Sequence, residues 1–244
     1  MNTPTNISIK ALRSQLQKTA PEGERETIVG TTVRFFSIFL TRILISTPLT
    51  PNMVTVLSVL IFLAGISLFI FPEIKIQLIG VGLVYFSIVL DACDGEIARY
   101  RKNTGFIGSA FVEPFSHDIQ YAILFIPLSI GVYLVTQDIT ILAVGSIGMI
   151  SKLLTRFLQV RMDGLMSLYS SGASQSSSPK KRSLAKWMYW VINRNIFSSV
   201  GMVIPLLVFT YFGRIDLFIW AYAAGFLGMF VMRFIKEWIR IIKL

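Results

Sequence analysis

The sequence predicts an all-α, polytopic membrane protein, with six transmembrane helices preceded by an N-terminal interfacial amphipathic helix. Three observations carry this reading. Of the 244 residues, 54% are apolar and only 15% charged. The apolar residues fall in blocks about long enough to cross a hydrocarbon core of ~30 Å. The 23 lysines and arginines gather mostly between those blocks, as in loops on the cytoplasmic side of a membrane. A net charge of +10 would suit a nucleic-acid binder if the basic residues shared one soluble surface. Interleaved with apolar spans, they argue against that class. The single cysteine, Cys93, allows no internal disulfide and is read as a helix-packing residue.

The elements follow in order. Residues 1–28 are polar and mixed in charge, and MNTPTNISIK lacks the basic-then-apolar order of a cleaved signal peptide. Ile9–Leu16 reads as a short amphipathic helix, broken by Pro21-Glu22-Gly23. Over residues 32–46, Arg34 and Arg42 punctuate Phe35, Phe36, Ile38, Phe39, Leu40, Ile43 and Leu44. That pattern fits a helix lying in the membrane interface with arginines toward headgroups; the alternative is an extension of the first span. Residues 1–50 thus form a cytoplasmic N-terminal segment and residues 51–244 the six-helix domain.

The turn TPLTPN leads into a first span near 52–71. A second, near 76–99, ends in a basic loop at 99–103, and a third runs near 107–135. After Thr136-Gln137-Asp138 comes the fourth, near 139–160, interrupted by Lys152 and Arg156. A Ser-rich connector over 161–190 holds Lys180-Lys181-Arg182. The fifth and sixth spans are expected near 191–212 and 217–235, before a basic tail. Six spans put both termini on one side, and only Lys75 and Arg214 fall in the loops of the other. The positive-inside rule therefore places the termini at the cytoplasmic face of the cell (inner) membrane.

One stretch breaks the separation of acids from apolar spans. Residues 90–118 contain Asp91, Asp94, Glu96, Glu113, Asp118 and the chain's single histidine, His117. Charged groups at a helix centre cost roughly 2.5–3.5 kcal/mol on insertion scales and persist mainly where function needs them. Asp91 and Asp94 are three apart and share a helix face, which Gly95 and Ala98 continue with little side chain. Glu113 and His117 are four apart on the next span and share another. Carboxylates beside small residues suit a divalent ion and a phosphate ligand. Hard oxygen donors favour Mg²⁺, Mn²⁺ or Ca²⁺, and a histidine tilts the choice toward Mn²⁺. Two such ions could bridge a diphosphate and orient an attacking hydroxyl. Glu96 reads instead as an acid paired with Arg99, Arg101 or Lys102 at the helix end.

This stretch resembles the CDP-alcohol phosphotransferase (CDP-alcohol phosphatidyltransferase) family, whose signature is D-x2-D-G-x2-A-R-x8-G-x3-D-x3-D. Asp91, Asp94, Gly95, Ala98, Arg99 and Gly108 match its first half. Pro51, Asn52 and Thr55 match a TPN-x2-T sequence that opens the first span. The second half is altered. Counted strictly from Gly108, its aspartate positions fall on Val112 and Ser116. One inserted residue puts Ser109 at the glycine position, Glu113 at the third aspartate and His117 at the fourth.

The resemblance implies release of CMP from a CDP-alcohol, such as CDP-diacylglycerol, as an acceptor hydroxyl attacks the phosphate nearer the alcohol. It implies two divalent ions, Mg²⁺ or Mn²⁺, on Asp91, Asp94, Glu113 and His117. It implies a nucleotide site at Asp91, Asp94, Gly95, Ala98 and Arg99, and a base at His117, with Asp118 in reserve. It also implies a homodimer. Lys152 and Arg156, four apart on one face, and Arg194 are candidates for an acceptor phosphate or lipid headgroup; the alternative for the first two is snorkelling to the interface. The pathway the resemblance implies is phospholipid synthesis. A polyol or sugar-like acceptor, for inositol lipids or surface glycans, and a catalytically silent CDP-lipid-binding membrane protein are the alternatives.

Overall fold

A computed structural model describes residues 8–17, 28–102, 111–170, 195–198 and 200–242. Its regular elements are helices: α1 (Ile9–Leu16), α2 (Ile28–Leu44), α3 (Pro51–Ser67), α4 (Ile74–Tyr100), α5 (Glu113–Thr136), α6 (Thr140–Ser170), α7 (Val203–Tyr211) and α8 (Ile215–Ile242). A 3₁₀ turn, Leu68–Ile70, extends α3. Five segments are long and apolar enough to cross a membrane: Pro51–Ile70, Ile74–Arg101, Glu113–Thr136, Thr140–Leu168 and Ile215–Ile242. The chain is an all-α polytopic membrane protein. The expected fifth span begins among residues outside the description, and α7 occupies its second half. The basic Lys180-Lys181-Arg182 also lies outside the described residues.

Local chemistry sets the helix ends. Thr50 caps α3, its Oγ1 accepting from the Met53 N–H at 3.3 Å, and Pro51 occupies the first turn, where its missing N–H costs nothing. Arg101 donates to the carbonyls of Thr47 and Leu49, each at 2.7 Å, and so ties the turn before α3 to the end of α4. Helix α5 ends at Gln137 in the left-handed region, φ 55°. Asp138 then accepts from the Thr140 N–H at 2.9 Å to open α6.

Two expected boundaries move. Helix α6 continues to Ser170, so the first ten residues of the expected Ser-rich connector are helical. They contain no proline to end the helix, and Met162 is buried within the extension. Helix α8 likewise runs through the expected basic tail to Ile242.

Close packing needs small residues where helices meet. A Cβ added to Gly80 on α4 would lie 2.6 Å from the Gly65 carbonyl oxygen on α3, and one added to Gly65 2.9 Å from the Gly80 oxygen. Each glycine therefore admits the other's backbone. Gly80→Val is expected to destabilise the protein by about 1–3 kcal/mol, the range for overpacking, read as a lower midpoint in detergent thermal unfolding. The main core gathers Phe69, Phe125, Leu128, Phe218 and Phe226. A second cluster, including Leu12, Leu16, Ile38, Val54, Leu90, Cys93 and Ile97, binds α1 and α2 to α3 and α4. Helix α2 turns Phe35, Phe36, Phe39 and Ile43 outward, an apolar face of the kind an interfacial helix sinks among acyl chains. Helices α4 and α5 both pack on α3 but barely touch each other among the described residues.

Candidate active site

The acidic stretch places its groups on two helices that share α3 as a support. Asp91 and Asp94 lie near the C-terminal end of α4, and Glu113 to Asp118 open α5. Asp94 is only 8% exposed. Its Oδ2 accepts from the Thr55 hydroxyl on α3 at 2.5 Å. Thr55 thus satisfies a buried carboxylate that would otherwise be costly. The carboxylates of Asp91 and Glu113 are near enough to act on Asp94 electrostatically.

His117 crosses from α5 toward α4. Its Nε2 stands 3.6 Å from Asp91 Oδ2, too far for a hydrogen bond but within the range of a charge contact. Its Nδ1 is buried with no hydrogen-bond partner among the described residues. Asp118 faces the other way: its Oδ1 lies 3.1 Å from Arg156 Nε on α6. The candidate base His117 and its reserve Asp118, adjacent in sequence, therefore sit against different helices.

The Lys152 ammonium lies among aromatic rings. Its Nζ lies 4.1 Å from the Tyr121 ring centroid and 4.6 Å from that of Phe226, and donates to the Phe197 carbonyl at 3.3 Å. Ring faces and a carbonyl replace water around the ammonium. Lys152 and Arg156 line a cavity of about 270 Å³ with His117, Asp118, Tyr121, Thr155 and Gln159. The candidate base and two of the candidate acceptor-binding cations therefore share one space.

On α4, the Arg99 guanidinium folds back over Gly95, where an added Cβ would lie 3.3 Å from Nη1. Ala98 is half-buried one turn below Gly95. Glu96 departs from expectation. Instead of pairing with Arg99, Arg101 or Lys102, it is fully buried on the side of α4 facing α1 and α2 and accepts hydrogen bonds from Gln17, Ser37 and Thr41. Two residues beyond Asp94, it points about 200° around the helix from that acid, into the bundle instead of toward the loop. Arg101, meanwhile, is engaged by the turn before α3. Gly108, Ser109 and Arg194 lie outside the described residues. No three His, Cys, Asp or Glu side chains among the described residues stand close enough to form a ready metal site.

Residues 48–164 match the model of the CDP-alcohol phosphatidyltransferase family. This stretch of the chain is a CDP-alcohol phosphatidyltransferase domain. It runs from the turn before α3 into α6 and so contains Asp91, Asp94, Glu113, His117, Asp118, Lys152 and Arg156. The crystal structure of phosphatidylinositol phosphate synthase from Mycobacterium tuberculosis, with CDP-DAG bound, is similar with a TM-score of 0.54 at 20% identity, covering 84% of this chain and 94% of that one. At that identity the likeness establishes a shared fold. No curated protein sequence matches the chain. Within the phosphatidyltransferase domain, Thr55 was legible as part of TPN-x2-T, but its bond to Asp94 was not. Tyr121 had a fainter signal, standing one turn beyond His117 on the same face. Phe197 and Phe226 carried none, since they come from distant parts of the chain.

Proposed function

We propose that the chain is a metal-dependent membrane transferase that moves a phospho-alcohol group from a CDP-alcohol to an acceptor hydroxyl, releasing CMP, in phospholipid synthesis. The observation that carries this reading is the pairing of the two motif halves across α4 and α5, with Asp91 and His117 only 3.6 Å apart beside buried Asp94. The donor set fits a divalent ion. Asp91, Asp94 and Glu113 supply hard oxygens, and the imidazole adds a nitrogen.

Asp91, Asp94 and Glu113 would hold the metal, which would supply positive charge to the diphosphate. Gly95 and Ala98 leave room for the cytidine nucleotide, and Arg99 lies over that face to meet phosphate. His117 takes the proton from the acceptor hydroxyl. The acceptor oxygen bonds to the phosphorus nearer the alcohol, the bond from that phosphorus to the bridging oxygen breaks, and CMP leaves. Lys152 and Arg156, with Arg194, hold an acceptor phosphate or headgroup. The cavity's Asp118, Thr155 and Gln159 offer hydrogen bonds to hydroxyls, which favours a polyol-like acceptor as the second form of the same chemistry. The site opens to the cytoplasm in the orientation that the basic loops dictate.

The test is CMP release by the full-length protein from CDP-diacylglycerol and other CDP-alcohols, against a panel of hydroxyl acceptors. Activity is expected with Mg²⁺ or Mn²⁺ and not with a chelator; no CMP from any donor would sink the proposal. Gly95→Ala offers a sharper check. The nearest atom to the new Cβ is the tip of a flexible arginine, and alanine favours helix by about 0.8–1.0 kcal/mol over glycine. The variant is therefore expected to accumulate normally yet bind the donor roughly tenfold more weakly, measured as KM for the CDP-alcohol.

A further inference from the structure

Glu96 is an acid inside the domain that the proposed reaction does not use. It is fully buried. Its Oε1 accepts from Gln17 Nε2 at 2.8 Å, at the C-terminal end of α1, and from Ser37 Oγ at 2.7 Å on α2; its Oε2 accepts from Thr41 Oγ1 at 2.6 Å, also on α2. All three donors are neutral. Gln17 Nε2 also donates to the Arg34 carbonyl at 2.7 Å, so the amide links both N-terminal helices to one carboxylate. One turn earlier on the same face of α4, the Cys93 thiol donates to the Ser37 carbonyl at 3.4 Å. Leu12, Leu16, Ile38 and Ile97 seal the junction.

This junction lies behind the acids. Asp94 and Glu96 are two residues apart, about 200° around a helix of 3.6 residues per turn. Holding Glu96 against α1 and α2 therefore sets the rotation of α4 about its axis, and with it the direction in which Asp91 and Asp94 point. Apolar packing alone would hold α4 less specifically, because apolar contacts are non-directional, whereas three hydrogen bonds to one carboxylate are met at a single azimuth.

We propose that Glu96 is a positioning residue: through Gln17, Ser37 and Thr41 it latches α1 and α2 to the back of α4 and keeps Asp91 and Asp94 aimed at the donor. The positioning role rests on the function proposed above; the docking of α1 does not. A carboxamide can keep the latch, since its oxygen still accepts from Gln17 and Ser37 and its NH₂ donates to the Thr41 hydroxyl. A leucine cannot.

The experiment compares Glu96→Gln and Glu96→Leu in the full chain by two readouts. In amide hydrogen exchange, Glu96→Leu is expected to speed exchange in α1, with Glu96→Gln close to the parent. In kinetics, Glu96→Leu is expected to lower kcat/KM for the CDP-alcohol by about 10- to 100-fold, the size of effect that a 1 Å misplacement produces. KM for the acceptor, whose cavity lies between α5 and α6, is expected to stay the same, and Glu96→Gln to stay within about threefold of the parent. General loosening would move both substrates' constants together, and that result would overturn the positioning role. So would parent-like kinetics in Glu96→Leu, or a Glu96→Gln as damaged as Glu96→Leu. Unchanged exchange in α1 would overturn the latch itself. If Glu96→Leu does not accumulate, Thr41→Val removes the hydroxyl that donates to Oε2 at constant volume; a donor-side loss of about threefold is expected, and no loss overturns the proposal. A parent protein that releases no CMP from any CDP-alcohol would instead overturn the proposed function, and the positioning role with it.

Discussion

Asp94→Asn is expected to lower CMP release by about 10³-fold or more while the protein still inserts and folds. Asparagine keeps the shape of the side chain, and its carbonyl oxygen still accepts from Thr55, which now donates to Oδ2 at 2.5 Å. What is lost is the charge. The carboxylate is buried beside Asp91 and Glu113, so neutralising it removes a ligand from the group that would hold the metal. Several kcal/mol of transition-state charge stabilisation depend on a bound ion, and each 1.36 kcal/mol is tenfold in rate. Removing a charge from a cluster of acids also relieves repulsion, so the variant is expected to be at least as stable as the parent. The measurement is labelled CMP release per amount of folded protein, with thermal unfolding alongside. Normal turnover in Asp94→Asn would remove the basis for the metal site.

His117→Ala is expected to reduce turnover by about 10²- to 10⁴-fold, the contribution of a positioned general base, with added imidazole restoring part of the rate. The imidazole is poised between Asp91 on α4 and the cavity shared with Lys152, where an acceptor hydroxyl would lie. Asp118→Asn provides the contrast. Its carboxylate is engaged with Arg156 at 3.1 Å, so its loss is expected to raise KM for the acceptor more than it lowers kcat. If Asp118→Asn is the crippling change and His117→Ala is mild, Asp118 is the base and the motif's second half is shifted by one residue.

Residue spacing within one helix was readable before any fold was known. The face shared by Asp91 and Asp94 and that shared by Glu113 and His117 follow from helical periodicity. The helix Ile9–Leu16 followed from its apolar pattern, and the five long apolar segments from length and hydropathy. The fold of the chain and the presence of a phosphatidyltransferase domain were therefore legible. The reading of Glu96 failed for the complementary reason. Its basic neighbours in sequence were visible, but its partners are 79, 59 and 55 residues away. The aromatic surroundings of Lys152 come from α5, α8 and Phe197, and they likewise have no signature in the local pattern.

By itself, then, the sequence determined that this chain is built of membrane-spanning helices, that one stretch carries acids at helical spacing, and which family that stretch belongs to. The first two properties are local, set by side-chain transfer energies and by 3.6 residues per turn; the third rests on the resemblance of Asp91, Asp94, Gly95, Ala98 and Arg99 to the family's motif. Only the tertiary structure decided that Thr55 satisfies Asp94, that His117 and Asp118 face different helices, and that Glu96 binds the N-terminal helices instead of a basic loop. Which helix meets which, at what rotation, depends on close approaches such as Gly65 on Gly80 and on hydrogen bonds between residues far apart in the chain, and no local pattern encodes either.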